Sequence, residues 1–422
     1  MTFKRIYCIP TNRSITQAME SYVKEVDFEY EYFKEEFPFI IIETKNGVVE
    51  EEDKNIISKI SQKYPQINII HLTMEKQEKL YTDLFKDNLL YLKRHYLTQN
   101  KDYGKAMNKI FLVAALFNVD IFHRRDSDTY LLNDYDTEYD KEYPIKIEIE
   151  YIGETISKVT NNSSLSEQER FTVVGSNYYG EWNMDIKDFA RKDFNLVYRL
   201  YELLGFGNTV VKDICDNVFD FNAQIPNNPL HLSIIRSVND DGNPDCGNMA
   251  MYKLFEKYPM LEARNTLASD YFVMDLATAM QKPSLHHNRP VFHEYTSKRF
   301  DFNRKVCYWE GVLKFCDYFN SYNNIYDGDI IDINTTNEEL SEIIYNFSQV
   351  ESKIREDKLN NILNEILYTF DENYKKVANE LYERVPFIIN ELNDEYKLHA
   401  KMLLDWEEVI NRCKKLNWRN YI

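Results

Sequence analysis

The chain has 422 residues, with 51 Lys and Arg against 69 Asp and Glu, a net charge of −18. Its 44% hydrophobic and 14% aromatic content, with only 11 Gly and 11 Pro, supplies a large core and excludes general disorder. So acidic a protein is not built to grip a nucleic acid or an anionic membrane by charge alone.

In chain order the first half alternates strand-like and helix-like runs, the pattern of an α/β unit with a mainly parallel sheet. Lys4 to Ile9 reads as a strand that stops at Pro10-Thr11-Asn12-Arg13, and Ser14 to Val26 has helical spacing. Phe37 to Ile42 is a second strand ending at Glu43, Asp53 to Tyr64 its crossover helix, and Ile67 to His71 a third strand. Gly104 to Phe117 is a strong helix leading into the short strand Val119 to Phe122. Ile145 to Ile152 and Phe171 to Val174 read as further strands, and Phe189 to Leu204 as a helix. Residues 215 to 248, rich in Asn, Asp and Pro, read as an irregular, functional connection. Tyr252 to Met280 reads as two helices, and from about Asn337 onward the chain is helical with apolar stripes.

The six cysteines form no CxxC pair and no zinc-finger spacing, which points to reduced thiols and a cytoplasmic protein. The chain enters a strand at once, with no room for a signal peptide. Its longest apolar stretch, Ile110 to Phe122, is broken by Asn118 and Asp120 and is too short to span a bilayer. The expectation is therefore a cytoplasmic protein with no integral membrane segment and no nucleic-acid partner.

The most informative segment runs from Val119 to Thr129. A short strand delivers Asp126 and Asp128, two residues apart, to the end of the sheet, beside Arg124 and Arg125. Carboxylates at this spacing suit Mg²⁺ or Mn²⁺ bound with a diphosphate, and the arginines suit a phosphate-rich ligand. A solvated turn at a strand end is the simpler reading of the same residues.

Three motifs, in order over residues 4 to 295, resemble nucleotide-sugar glycosyltransferases of the GT-A fold, particularly the inverting family 2. Ile9-Pro10-Thr11-Asn12-Arg13 is similar to that family's opening "IPTxNR" loop near the nucleoside. Gly104-Lys105-Ala106-Met107-Asn108 is similar to its "GxAxNxG" helix, and Asp126-Ser127-Asp128 to the D-x-D that holds the metal. The resemblance implies Pro10, Thr11, Asn12, Arg13, Glu43, Lys105, Asn108, Arg125, Asp126 and Ser127 around the nucleotide. It also implies Mn²⁺ or Mg²⁺ on Asp126 and Asp128. A late histidine joins the metal shell in some such enzymes, and His293 is the candidate. Ser269-Asp270-Tyr271 looks like the family's "(E/D)D(W/Y)", whose acid deprotonates the acceptor. Here Ser269 replaces the first acid; Asp270 is the candidate base, a helix N-cap is its alternative role, and Asp275 is the substitute base.

Other signatures fail. Gly175 to Gly180 has P-loop spacing, but Glu181-Trp182 replaces Lys-Ser/Thr, and Gly205-Phe206-Gly207 lacks the third glycine of a dinucleotide fingerprint. Trp182 remains a candidate for sugar stacking. The sequence thus predicts an α/β protein with a Rossmann-like GT-A sheet over residues 1–300 and a mainly α-helical appendage over 301–422. The expected activity is inverting transfer from a nucleoside-diphosphate sugar, a UDP-sugar first, to an unidentified acceptor. The competing readings are a sugar nucleotidyltransferase and a catalytically idle nucleotide-sugar-binding module.

Overall fold

The computed structural model describes residues 3–34, 36–45, 47–132, 142–160, 169–180, 184–217, 229–236, 243–293, 301–326 and 330–422. Its strands are β1 (Arg5–Thr11), β2 (Phe39–Glu43), β3 (Ile69–Leu72), β4 (Ile121–Arg125), β5 (Thr129–Tyr130), β6 (Val173–Gly175), β7 (Tyr178–Gly180), β8 (Leu232–Ile235), β9 (Asn248–Tyr252), β10 (Ser284–His287) and β11 (Val291–His293). Eight of them form a mostly parallel central sheet in the order β3-β2-β1-β4-β9-β6-β10-β8, and β5-β11-β7 form a small second sheet. β9 is antiparallel to both neighbours and β8 is antiparallel to β10.

The helices are α1 (Thr16–Phe33), α2 (Val48–Lys63), α3 (Met74–Leu84), α4 (Leu90–Leu97), α5 (Tyr103–Leu116), α6 (Pro144–Tyr151), α7 (Ile186–Lys192), α8 (Phe194–Leu204), α9 (Asn208–Asn217), α10 (Phe272–Ala279), α11 (Phe302–Tyr326), α12 (Asn337–Phe347), α13 (Ser352–Ile362), α14 (Tyr368–Phe370), α15 (Glu372–Tyr382) and α16 (Val385–Lys415). Strand side chains alternate between faces, so each central strand feeds two cores. Tyr7, Ile9, Phe39 and Ile41 pack with Met19, Tyr22 and Val23 of α1 on one side. Ile6, Cys8, Ile40 and Ile42 pack on the other, in the cluster that holds Phe111 of α5, Trp309 of α11 and Trp406 of α16.

The C-terminal helices close that second core. Trp406 Nε1 donates to the Phe255 carbonyl at 2.9 Å, and His399 stands between Tyr322 Oη (2.9 Å) and the Pro259 carbonyl (3.1 Å). Arg355 grips Asp317 through two nitrogens, at 2.8 and 2.6 Å, and Tyr396 donates to the same carboxylate. Each large apolar side chain buried this way contributes roughly 1.5–3 kcal/mol.

Four segments differ from their sequence reading. Residues 145 to 152 lie in and just past the helix α6 rather than in a strand. Their alternating isoleucines suggest period 2, but Ile145 and Ile149 share one core face and Glu148, one turn before Ile152, is also buried. A buried carboxylate partnered by arginine defeats a reading that counts Glu as solvent-facing. Tyr252 to Met280 contains one α-helix, α10, after a 3₁₀ turn at Leu254–Glu256 and a buried extended stretch. That stretch is stabilised by Asn108, whose side-chain amide gives to the Met260 carbonyl (3.1 Å) and accepts from its N–H (2.8 Å), as a neighbouring strand would. The 215–248 connection carries β8, and the helix read from Phe189 to Leu204 is two, α7 and α8, parted at Asp193.

Candidate active site

Because β1, β2, β3 and β4 are parallel, Thr11, Glu43, Leu72 and Arg125 all end at one edge of the sheet. The antiparallel β9 starts there, with Asn248 opposite Arg125, and β6 and β10 end there too. β1 has β2 on one side and β4 on the other, so the strand order reverses beside it, and in open α/β sheets such a reversal leaves a crevice between the strand ends, here those of β1 and β4. That is where open α/β sheets receive ligands.

Arg13, at the tip of the loop after β1, crosses this crevice to Asp128, Nη1 to Oδ2 at 2.5 Å. The loop is shaped locally: Thr11 Oγ1 donates to the Arg13 carbonyl (2.6 Å), and Asp53 receives the Ile15 N–H (3.0 Å). His293, on β11, puts Nε2 3.6 Å from the same Asp128 oxygen. Burial pushes the Asp128 carboxyl up, but His293 and Arg13 outweigh it and bring it down to about 2. Asp126 is held at both oxygens: Oδ1 by Arg124 Nε (3.1 Å) and Nη2 (2.8 Å), Oδ2 by the Tyr178 hydroxyl (2.6 Å).

Arg124 is the hub between the two carboxylates expected at the site. Its Nη1 donates to Asp270 Oδ2 at 2.9 Å, so one guanidinium, 3% exposed, joins Asp126 to Asp270. Asp270 makes no cap to α10, whose first residue is Phe272 and which has no side-chain cap. Burial pushes its carboxyl up, Arg124 pulls it down, and Asp126 pushes it up again, with a net rise. Asp275 lies one turn later on Asn243 Nδ2 (3.0 Å), and burial pushes it up to about 7.

Arg125, next in sequence, faces the opposite side of the sheet. Its guanidinium is fully buried between Glu25 (2.8 Å) and Glu148 (2.9 Å), against the rings of Tyr7 and Tyr22. Lys105 is held by the carbonyls of His95 (3.2 Å) and Thr98 (3.3 Å), while Asn108 binds Met260 and Glu262. Glu43 is buried on His71 Nε2 at 2.7 Å, beside Asp53, whose carboxyl is pushed up to about 7, chiefly by burial. The structure therefore gathers Arg13, Asp126, Asp128, His293 and, through Arg124, Asp270. Pro10 and Thr11 are the buried last residues of β1, Asn12 and Ser127 lie on the loops that follow β1 and β4, and Trp182 falls outside the described residues. A cavity of about 580 Å³, lined by Lys101, Arg264, Asn265, Phe302 and Arg384 among others, takes in none of the gathered five.

Three residues of this site escaped the sequence reading. Tyr178 supports Asp126; Asp245 accepts from the Tyr178 N–H and from the Tyr271 hydroxyl, both at 2.5 Å. Gly247 lets β9 pass close by, since a Cβ there would meet Tyr178 Oη at 2.3 Å and Asp126 Cγ at 2.4 Å. Only the position of Asp245 and Gly247 in the Asn- and Asp-rich connection hinted at a role.

Two carboxylates and an imidazole are donors of the right type for Mn²⁺ or Mg²⁺. Among the described residues, however, no three His, Cys, Asp or Glu side chains are drawn together tightly enough to hold an ion. Arg13 and Arg124 stand on the oxygens that a cation would share.

The model of a family of unknown function, DUF6271, matches residues 4–421, and the chain belongs to that family. No curated protein matches it. Among solved structures it is similar to the mannosyltransferase PcManGT from Pyrobaculum calidifontis, solved in complex with GDP-Man and Mn²⁺. The TM-score is 0.35 at 10% identity, over 96% of this chain and 88% of that one. No helix among the described residues is long and apolar enough to cross a membrane.

Proposed function

We propose that the chain is a metal-dependent glycosyltransferase of the GT-A type, using a nucleoside-diphosphate sugar. Residues 1–300 would carry the chemistry and 301–422 would support it. The observation that carries this reading is the gathering of Arg13, Asp126, Asp128 and His293 at the crevice between β1 and β4.

Asp126, Asp128 and His293 would hold Mn²⁺ or Mg²⁺, which when bound neutralises charge on the leaving diphosphate. Arg13, released from Asp128, then has its guanidinium free for a phosphate oxygen. Pro10, Thr11, Asn12 and Ser127 line the way to the nucleoside, with Glu43 behind them. Asp270 takes the acceptor's proton as its oxygen or nitrogen attacks the anomeric carbon. Burial favours the protonated carboxyl and so makes Asp270 the stronger base, while Arg124 fixes it relative to Asp126. Lys105, Asn108 and Arg125 serve this site by holding its frame.

A second reading, a binding module without turnover, is favoured by one observation: arginines already satisfy the carboxylates that would receive the metal. Thermal shift with UDP-, GDP- and CMP-sugars, each with and without Mn²⁺, followed by an assay of donor hydrolysis, separates the two. A metal-dependent rise in melting temperature with hydrolysis supports the transferase. A rise without hydrolysis or transfer supports the module, and no response to any donor removes both.

A further inference from the structure

We propose that the cavity between the sheet region and the C-terminal helices is a second ligand site, fitted to a monosaccharide that carries an anionic group. It is separate from the crevice, and the inference does not rest on the metal-dependent reading above. Its volume is about 580 Å³. Proteins hold small ligands in clefts of about 300–1,000 Å³, often where two parts of a chain meet. Both parts build this one. Lys101, Arg264 and Asn265 come from the sheet region, Phe302 and Glu310 from α11, and Glu380 and Arg384 from α15 and the turn after it.

Three cations line the cavity in a chain whose net charge is −18. Glu310, which is buried, pairs with Arg384 and stands 3.9 Å from Arg264 Nη2, so one carboxylate draws both guanidiniums together. Each guanidinium meets carboxylates through Nη2, Arg264 also reaching Glu391 at 2.7 Å. Among the described residues, Nε and Nη1 of both arginines have no partner. The Lys101 ammonium lies 5.0 Å from the Tyr103 ring and pairs with no carboxylate among the described residues. Guanidinium forks and an ammonium are the groups that recognise phosphate and carboxylate.

The rest of the lining suits hydroxyls. The side-chain amides of Gln99, Asn100, Asn265 and Asn303 present donor and acceptor together, as vicinal hydroxyls require. Asn265 is buried; its Nδ2 donates to the Cys307 carbonyl at 2.7 Å, and its Oδ1 has no partner among the described residues. Phe302 lines the same cavity with an exposed ring, a flat apolar surface for the C–H face of a pyranose. The wall is fixed by three bonds: Asn265 N–H to the Lys101 carbonyl (2.7 Å), Arg264 N–H to Glu395 (2.8 Å), and Lys314 Nζ to the Arg264 carbonyl (2.8 Å). A ligand therefore meets groups already in place, and less ordering opposes its binding.

The test is isothermal titration of glucuronate, glucose 6-phosphate, glucose and inorganic phosphate into the full chain, without metal or nucleotide. At least one of the two anionic sugars should bind about 10-fold or more tighter than both glucose and phosphate, the scale of one charged hydrogen bond. Comparing glucuronate with glucose 6-phosphate tells a carboxylate ligand from a phosphate one. Lys101→Gln, which breaks no described ion pair, and Arg384→Gln should each weaken that binding about 10-fold. Phe302→Ala should weaken the sugar and leave inorganic phosphate unchanged. Failure of both anionic sugars to bind, or phosphate binding as tightly as they do, overturns the proposal. Wild-type affinity in folded Lys101→Gln and Arg384→Gln also overturns it. If Arg384→Gln does not fold, wild-type affinity in Lys101→Gln and Phe302→Ala overturns it instead.

Discussion

Replacing Asp270 by Asn takes one negative charge from a guanidinium that is 3% exposed and holds Asp270 at 2.9 Å and Asp126 at 2.8 Å. Removing one partner of a buried ion pair outright costs about 3–5 kcal/mol. Asn keeps an oxygen for the Arg124 N–H, and Asp126 keeps the second charge. The expected loss is therefore nearer that of one charged hydrogen bond, about 1.5–3 kcal/mol, and the melting temperature should fall by several degrees. As a base, Asp270 should also account for about 10²- to 10⁴-fold in turnover. The two effects are measured apart: stability by calorimetry, turnover of donor and acceptor well below the variant's melting range. An unmoved melting temperature would refute the Arg124 hub. Near-normal turnover would remove Asp270 from the chemistry and move the search for the base to Asp275.

Arg13→Ala should act with opposite signs on the two ligands. Without nucleotide it should tighten Mn²⁺ by up to about five-fold, the scale of one exposed ion pair, and in the presence of Mn²⁺ it should weaken nucleotide-sugar binding; calorimetric titration reads both. Asp275→Asn should stabilise the protein at neutral pH. The folded carboxyl titrates at about 7 against an ordinary 3.8, so its contribution to stability is complete below about pH 4 and lost as pH rises to 7. Denaturation from pH 4 to 8 should show a gain that grows with pH to no more than about 4 kcal/mol at 1.36 kcal/mol per pH unit; a gain equal at every pH refutes the assignment. Trp406→Ala empties a fully buried site between α16 and the Phe255 turn. It should cost about 3–5 kcal/mol in a single unfolding transition, and two separate transitions would show that the C-terminal helices fold by themselves.

Strands β1 to β4 and the crossovers between them were legible because their apolar runs are short and bounded by turn residues, whereas β8, β9 and β10 were not read as strands. Asp126 and Asp128 were legible because a strand end with two carboxylates needs no distant partner to be noticed. Tyr178 was not, since what gives it a role is Asp126, 52 residues away in the chain. Arg125 was misleading for a geometric reason. Its neighbour Arg124 and it read alike in sequence, but strand alternation sends one toward Asp126 and the other into the core on Glu25 and Glu148. Buried Glu148 also explains why α6 was missed. Once Glu148 is paired with Arg125 and hydrogen-bonded to His123, it belongs to an inward helix face that polarity alone assigns to solvent.

In the proposed function Asp128 holds a divalent cation against a nucleotide diphosphate. Isothermal titration of UDP- and GDP-sugars, with and without Mn²⁺, into the wild-type chain and Asp128→Ala tests it directly. The wild type should bind at least one donor only when Mn²⁺ is present. Asp128→Ala, with its fold intact by circular dichroism, should lose that metal-dependent binding. Equal donor affinity in the two proteins with Mn²⁺ present would contradict it.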